Sequence, residues 1–273
     1  MFHLCCGSKQ LLDPDKVDVV HRLDKEKCLT LEEFRLIKIH MSIHIWRLAL
    51  HVKVRQRVIA TAITYFRRVY TSLSYRNLVR KSMSEYDPRL VAPTCLYLAS
   101  KVEESTVQAR LLVFYIKKMC NYSSLFPISS SDEKYRFEIK DILEMEMKVL
   151  EALDYYLVVF HPYRPLLQLL QDANITDLTQ VAWGLVNDTY KMDLILIHPP
   201  HMIALACIYI ACVLKDKDLT SWFEELRADM NIVKNIAMEI LEFFEYCRPD
   251  PKNNILLPED RINAALNKVA AKP

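Results

Sequence analysis

Glycine is almost absent from this chain, at 2 of 273 residues, against a usual share of about 7%. Glycine supplies the positive φ of tight turns and the bare backbone of phosphate-cradling loops. Its scarcity argues against a β-rich fold and leaves no Gly-rich loop for P-loop or dinucleotide-binding chemistry. Paired cysteines are missing too. The eight cysteines include no Cys-x-x-Cys, and several sit inside apolar runs, a pattern that fits buried reduced thiols of a cytosolic or nuclear protein. Long apolar stretches are also lacking. The longest uncharged one, Met202 to Leu214, falls short of the ~20 residues of a membrane span. The opening MFHLCCGSKQ has no extended apolar core of the secretory kind. Phe2 stands where N-myristoylation requires glycine, so acylation of Cys5 and Cys6 is not expected. The sequons at Asn121, Asn174 and Asn187 carry no meaning without secretion. Lysine and arginine nearly balance the acids, 36 against 34 for a net charge of +2, so no strong field toward polyanions or membranes is implied. Apolar residues make up 52% of the chain, which excludes a disordered tail protein.

What the chain does have is a repeat. Pro88 to Glu104 reads PRLVAPTCLYLASKVEE, and Pro200 to Asp216 reads PHMIALACIYIACVLKD. Pro, Ala, Cys, Tyr and Ala recur at fixed places, with Leu/Met, Val/Ile and Leu/Ile exchanges between them. Ala92, Cys95 and Ala99 in one copy match Ala204, Cys207 and Ala211 in the other. Small residues three and four apart share a helical face and let neighbouring helices approach closely, as the central helix of a bundle requires. A weaker echo links Met147–Tyr155 (MKVLEALDY) with Met238–Tyr246 (MEILEFFEY). Two similar helical domains are therefore expected.

Residues 1–28 read as a polar, partly ordered arm. From Asp15 to Asp87 there is neither Gly nor Pro. Phe34, Ile37, Met41, Ile45, Leu48 and Val52 form a helical stripe, although Ile37, Ile39, Met41, Ile43 and Ile45 also alternate like a strand; the length of the run decides for helix. A second helix covers Val54 to Tyr70, and Ser72 to Met83 reads as a connection. Asp87-Pro88 looks like an N-cap followed by the first helical position. Pro93 implies either an irregular first turn or a regular helix starting near Pro93. Ser105 to Lys118 reads as a fourth helix, Asn121 to Asp132 as a Ser-rich loop, and Glu133 to Val158 as a fifth helix longer than its second-domain counterpart. A junction at His161–Pro165 precedes a second set: Tyr163–Asp172, Leu178–Met192, Pro200–Lys215, Ser221–Asp229 and Asn231–Cys247. Arg248–Pro258, with three prolines, reads as a linker, and a short amphipathic helix follows through Ala270. The expected fold is all-α, with an arm at 1–28, a first domain at 29–160, a second at 161–248, and a linker with a C-terminal helix at 249–273.

Sites of chemistry are scarce. His40, His44 and His51 lie roughly on one helical face, but no Cys, Asp or Glu joins them at ligand spacing and no HExxH is present, so a packed or solvated histidine face is expected rather than a metal site. His198-Pro-Pro-His201 reads as a helix-start turn. No G-x-S-x-G elbow or Cys/His signature appears. The acids Glu103, Glu104, Glu144 and Glu146 lie on helices, where surface charge is the default. Neither an active site, a cofactor nor a metal is expected. The basic groups Lys53-Arg55-Arg57, Arg67-Arg68 and Lys117-Lys118 are broken by apolar positions and read as solvated helix faces. The repeat offers the sharper signal. Lys101 of the first copy faces Val213 in the second, and Glu146 faces Ala237, so two charges stand where the other domain has apolar residues. A charge at an apolar position is costly without a partner. Lys101 and Glu146 pair with each other, wait at a surface that another protein covers, or point to water at helix ends.

The motifs LASKVEE at 98–104 and EMKVLEAL at 146–153 resemble the first cyclin box, and the tandem repeat resembles the paired five-helix domains of cyclins. FHPYRPLLQLLQD at 160–172, WGLVNDTYKMDLILIHPP at 183–200 and IALACIYIACV at 203–213 are similar to the C-type cyclins, particularly those of plants. The match runs from about residue 30 onward. It implies a non-catalytic regulatory subunit of a cyclin-dependent kinase, nuclear, acting in RNA polymerase II transcription with the Mediator kinase and the other kinase-module subunits, without direct nucleic-acid or membrane contact. It also implies that Lys101 and Glu146 are kinase-binding residues near the kinase αC helix. The family's N-terminal opening with Asn-Phe-Trp and Ser-Ser-His-Tyr is absent, Ser72–Val79 and Asn121–Ser131 look inserted, and the Met-Arg-Ala-Ile-Leu segment used for cell-cycle substrate docking is missing. A IIB-type transcription factor uses the same repeated fold on DNA, but it requires a zinc ribbon with paired cysteines and a basic DNA face, which this sequence lacks. A plain helical scaffold without a kinase is the third reading.

Overall fold

The computed structural model describes residues 11–71, 81–122, 137–248 and 259–270. Every regular element among them is a helix. The chain divides into two compact units, one built from residues 14–159 with 257–273 and the other from 1–13 with 160–256. Cys5, Cys6, Ser72–Val79, 123–131 and most of the expected linker lie outside the described residues.

The first unit contains α1 (Pro14–Val17), α2 (Arg22–Glu26), α3 (Leu31–Val52), α4 (Gln56–Thr71), α5 (Pro88–Val102), α6 (Ala109–Tyr122), α7 (Ile139–Ala152) and α14 (Glu259–Ala270). α3 opens on a capping box: Thr30 Oγ1 accepts the Glu33 N–H while the Glu33 carboxylate accepts the Thr30 N–H, so two orphan donors are satisfied reciprocally. Phe34, Ile37, Met41, Ile45 and Leu48 are buried as the stripe requires, with Val52 half-buried. Leu36 and Ile39 are buried as well. The reason is α14, which packs against α3 and places Ile262, Ala265, Leu266 and Val269 in the core. Over residues 36–42 the helix is buried on every side, and a stretch buried all round loses its amphipathic period, which is why the same stretch also alternates like a strand.

α5 is the hub of this unit, packed against α3, α4, α6 and α7. Asp87 caps it, accepting the Arg89 N–H at 2.9 Å, and Pro88 takes the first position. Pro93 lies inside the helix and neither delays nor breaks it; one i→i−4 bond is lost because proline has no N–H. α6 starts at Ala109, later than expected. The fifth helix corrects the sequence reading outright: α7 has 14 residues, its counterpart α13 has 17. Asp154 and Tyr155 both adopt positive φ, and the Tyr155 N–H turns back to the Leu150 carbonyl at 2.9 Å, which ends the helix early. At the other end the Asp141 carboxylate accepts the Glu138 N–H at 2.8 Å and fixes the start.

The second unit comprises α8 (Tyr163–Asp172), a 3-10 turn (Thr176–Leu178), α9 (Thr179–Thr189), α10 (Leu194–Ile197), α11 (Pro200–Leu214), α12 (Thr220–Glu225) and α13 (Met230–Tyr246). α11 is its hub, packed against α8, α9 and α13. The 3-10 turn and the short α10 were not anticipated, and α9 ends at Thr189, short of the expected Met192. The stripes Ala92/Cys95/Ala99 and Ala204/Cys207/Ala211 are fully buried in both hubs, and burial in apolar surroundings pushes the Cys95 and Cys207 thiols well up.

The repeat extends to the backbone. Glu104 has φ 52° and Asp216 φ 50°, 112 positions apart like the rest of the repeat. Ser105 N–H bonds the Ser100 carbonyl at 2.8 Å, and Lys217 N–H bonds Cys212 at 2.9 Å. Both hubs therefore end in the same left-handed cap, of the kind usually built with glycine. Among the described residues, eight non-glycine positions carry positive φ; a chain almost without glycine has accepted local strain at its helix ends.

Candidate functional site

Lys101 occupies the last turn of α5, and Glu146 lies on α7, which packs against it. The Lys101 Nζ donates to both Glu146 oxygens, at 2.7 and 2.8 Å, and sits 4.2 Å from the centre of the Tyr97 ring. Partial burial works against the Lys101 charge, but the hydrogen bonds and attraction of Glu146 outweigh it and hold the pKa above the ordinary lysine value. The pair is asymmetric: the Glu146 side chain is 11% exposed, that of Lys101 40%. The buried acid is fixed by the helix packing, and the lysine reaches it from the surface while keeping open sides. Of the three arrangements open from the sequence, internal pairing holds.

Glu103, two residues after Lys101, accepts from Arg57 Nε at 2.6 Å and Thr61 Oγ1 at 2.7 Å, which ties the end of α5 to α4. Beside these charges α7 presents Ile139, Leu143 and Met147, and α5 presents Val102, all exposed. The spacing i, i+4, i+8 places the three α7 residues on one stripe with Glu146. The sequence reading missed this stripe. Its signal was there: α7 also carries Ile142, Met145 and Val149, more apolar residues than one buried face can use.

The second unit lacks the arrangement. Ala237 is buried as expected, but Val213 is 61% exposed, so the position opposite Lys101 is not a packing position in either unit. Only the Glu146 position is one that the fold makes apolar.

A second residue missed by the sequence reading positions α5. Asp24, within the expected arm, is fully buried. Its carboxylate accepts from Ser82 Oγ (2.6 Å), the Met83 N–H (3.0 Å), the Ser84 N–H (3.0 Å) and Ser84 Oγ (2.8 Å). One acid thus organises the turn that leads into Asp87 and the hub helix.

The remaining sites settle plainly. His40 and His44 are buried in α3. Burial, helped by the positive Arg47, lowers His40 to about 4; burial, His40 and Arg47 together lower His44 to about 3. His51 is exposed and stacks on Tyr115 at 5.5 Å, so the three do not converge. No group of three or more His, Cys, Asp or Glu suited to a metal occurs among the described residues. His198 and His201 flank the start of α11 as expected. Arg67-Arg68 corrects the reading of solvated faces: Arg67 is buried, and the Arg68 guanidinium donates to the Val158 carbonyl at 3.4 Å.

Comparison with known proteins adds the following. The family model described as "Cyclin, N-terminal domain" matches residues 9–158. The chain is 75% identical to Cyclin-C1-1 of Oryza sativa subsp. japonica over 264 residues, covering 97% of this chain and 95% of that protein. It is 42% identical to Cyclin-C of Rattus norvegicus over 234 residues, covering 82% and 79% respectively. Among solved structures it is similar to a chain in the crystal structure of the yeast RNA Pol II CTD kinase CTDK-1 complex, with a TM-score of 0.65 at 19% identity, covering 96% of this chain and 84% of that one.

Proposed function

The chain belongs to the cyclin family, in its cyclin C branch, and from that premise we propose that Lys101 and Glu146 anchor the kinase this cyclin activates. As a cyclin it is a regulatory, non-catalytic subunit of a kinase that acts in transcription. The finer reading is a nuclear subunit of the Mediator kinase module, paired with its cyclin-dependent kinase. The observation that carries the site is the Lys101–Glu146 pair bordered by exposed Val102, Ile139, Leu143 and Met147. A fixed charge pair beside an apolar stripe suits a partner helix, which reads the stripe by burial and the lysine by hydrogen bonding.

Activation follows from differential binding. A protein kinase is competent when its β3 lysine pairs with the αC glutamate and its activation loop is placed. A rigid surface that fits αC only in that position shifts the equilibrium toward the active state. Rigidity here comes from α5, held by Asp87, by the Asp24 turn and by the Glu103–Arg57 tie.

Lys101→Glu and Glu146→Ala are expected to weaken co-purification of the kinase while leaving far-UV circular dichroism unchanged. Kinase recovery equal to wild type in both variants sinks the assignment. One affinity purification from nuclear extract with mass spectrometry reads the wider proposal: recovery of a cyclin-dependent kinase with Mediator subunits supports it. Recovery of neither, with promoter DNA retarded by the chain alone, favours the IIB-type reading.

A further inference from the structure

Between Glu33 and Glu85 the sequence contains no acidic residue, and between Glu104 and Asp132 there is again none, although Lys and Arg occur in both stretches. In a chain with 34 acids such gaps are conspicuous, and the fold brings them together: α3 packs against α6, and His51 stacks on Tyr115 across the contact. The second half of α3 exposes Trp46 (45%) and Leu50 (53%), one turn apart, and α6 exposes Leu111 (40%) and Phe114 (57%). The same stretches of α3 and α6, with the α3 C-cap, carry exposed Arg47, Lys53, Arg110, Lys117 and Lys118. None of these five cations forms an ion pair among the described residues. Glu103, at the end of α5, is engaged by Arg57 and Thr61.

Scattered exposed apolar residues need no explanation, but large ones gathered with one sign of charge mark an interaction face. Tryptophan, phenylalanine and arginine are the side chains that anchor protein interfaces. A nucleic acid would use the cations but leave Leu50, Leu111 and Phe114 in water, whereas a second copy of this face would set cation against cation. We propose that the α3–α6 face docks an acidic amphipathic segment of a partner protein, one whose apolar residues recur at helical spacing and are flanked by Asp and Glu. Apolar anchors enter between Trp46, Leu50, Leu111 and Phe114, and the acids meet the cationic rim. The rim steers encounter and fixes register; the apolar contacts hold the complex. This face is built from other residues than the Lys101–Glu146 site and does not rest on the kinase assignment.

The test uses the full chain and a fluorescein-labelled 18-residue synthetic peptide with Leu and Phe at i, i+4, i+7 and i+11 and Glu or Asp at the flanking positions, read by fluorescence polarisation. Controls are the same peptide with every acid changed to Lys, and a single-stranded RNA of equal length. Binding of the acidic peptide is expected, with affinity falling several-fold between low and physiological salt. Phe114→Asp or Leu50→Asp is expected to lower the affinity at least tenfold, and Arg47→Glu with Lys117→Glu to lower it several-fold and flatten the salt dependence. Lys101→Glu should leave it unchanged. No binding of the acidic peptide, equal binding of the lysine peptide, indifference to Phe114→Asp and Leu50→Asp, or binding of RNA in place of peptide each overturns the proposal.

Discussion

Replacing Asp24 with alanine tests how the hub helix is anchored. Four donors converge on this carboxylate, and Asp24, Ser82 and Met83 are all fully buried. In Asp24→Ala the Ser82 hydroxyl and the Met83 N–H lose their acceptor where water has no ready access; a buried donor left unsatisfied costs about 1–3 kcal/mol. The Ser84 groups are half-buried and recover much of their loss from water. Removing the carboxylate also relieves its own desolvation, which offsets part of the total. The net expectation is a destabilisation of about 3 kcal/mol. Asp24→Asn retains one carbonyl oxygen and should lose roughly half as much. Urea unfolding followed by circular dichroism measures both, as a fall in the midpoint at unchanged slope. If Asp24→Ala unfolds within about 0.5 kcal/mol of wild type, the turn does not depend on Asp24, and the account of how α5 is launched fails. The same variant should also weaken kinase co-purification, because Lys101 rides on α5.

Three further outcomes follow from the fold. His40 has a pKa of about 4 in the folded chain against about 6.5 unfolded. Its folded value is depressed, so its contribution is complete above pH 6.5 and declines as pH falls toward 4. Unfolding by urea at pH 7.5 and pH 5 should differ by about 2 kcal/mol from this residue, with His44 acting in the same direction, and His40→Gln should flatten the slope. Leu266→Ala, at a fully buried α14 position, should cost about 2–5 kcal/mol. By contrast Lys268→Ala, which breaks a surface bond to Glu33, should cost no more than about 1 kcal/mol. Glu104→Gly and Asp216→Gly should each raise the thermal midpoint, by relieving about 1 kcal/mol of left-handed backbone strain; a lowered midpoint in both refutes the strain reading.

Much of the architecture was legible because the repeat preserves what packing demands. Ala92, Cys95 and Ala99 lie against neighbouring helices in one unit and Ala204, Cys207 and Ala211 in the other, and a one-dimensional pattern carries that constraint faithfully. Glu146 was legible for the opposite reason, since it sets a charge where the second unit buries Ala237, whereas the contrast of Lys101 with exposed Val213 marked no packing position. What the sequence hid was long-range. Nothing local announces that α14 covers α3 or that Asp24 reaches Ser82, Met83 and Ser84. Arg67 and Arg68 read as solvated because residue type alone does not reveal that neighbouring helices enclose them. The fifth helix was drawn too long because Asp154 and Tyr155 end it by adopting positive φ, a conformation that neither residue type advertises.

The docking of α14 on α3 has a consequence in time. α3 is made early, yet α14, which covers its second face, follows the whole of the second unit in the chain. At ~5–20 residues per second of synthesis, the first unit waits several seconds or more with apolar surface on α3 uncovered. Leu36 and Ile39 belong to the nascent chain's exposed surface during that interval. A chain shortened before Glu259 would leave the ribosome in that unfinished state permanently, and a cell's chaperones and proteases would meet it as an incomplete domain rather than as a cyclin lacking a tail.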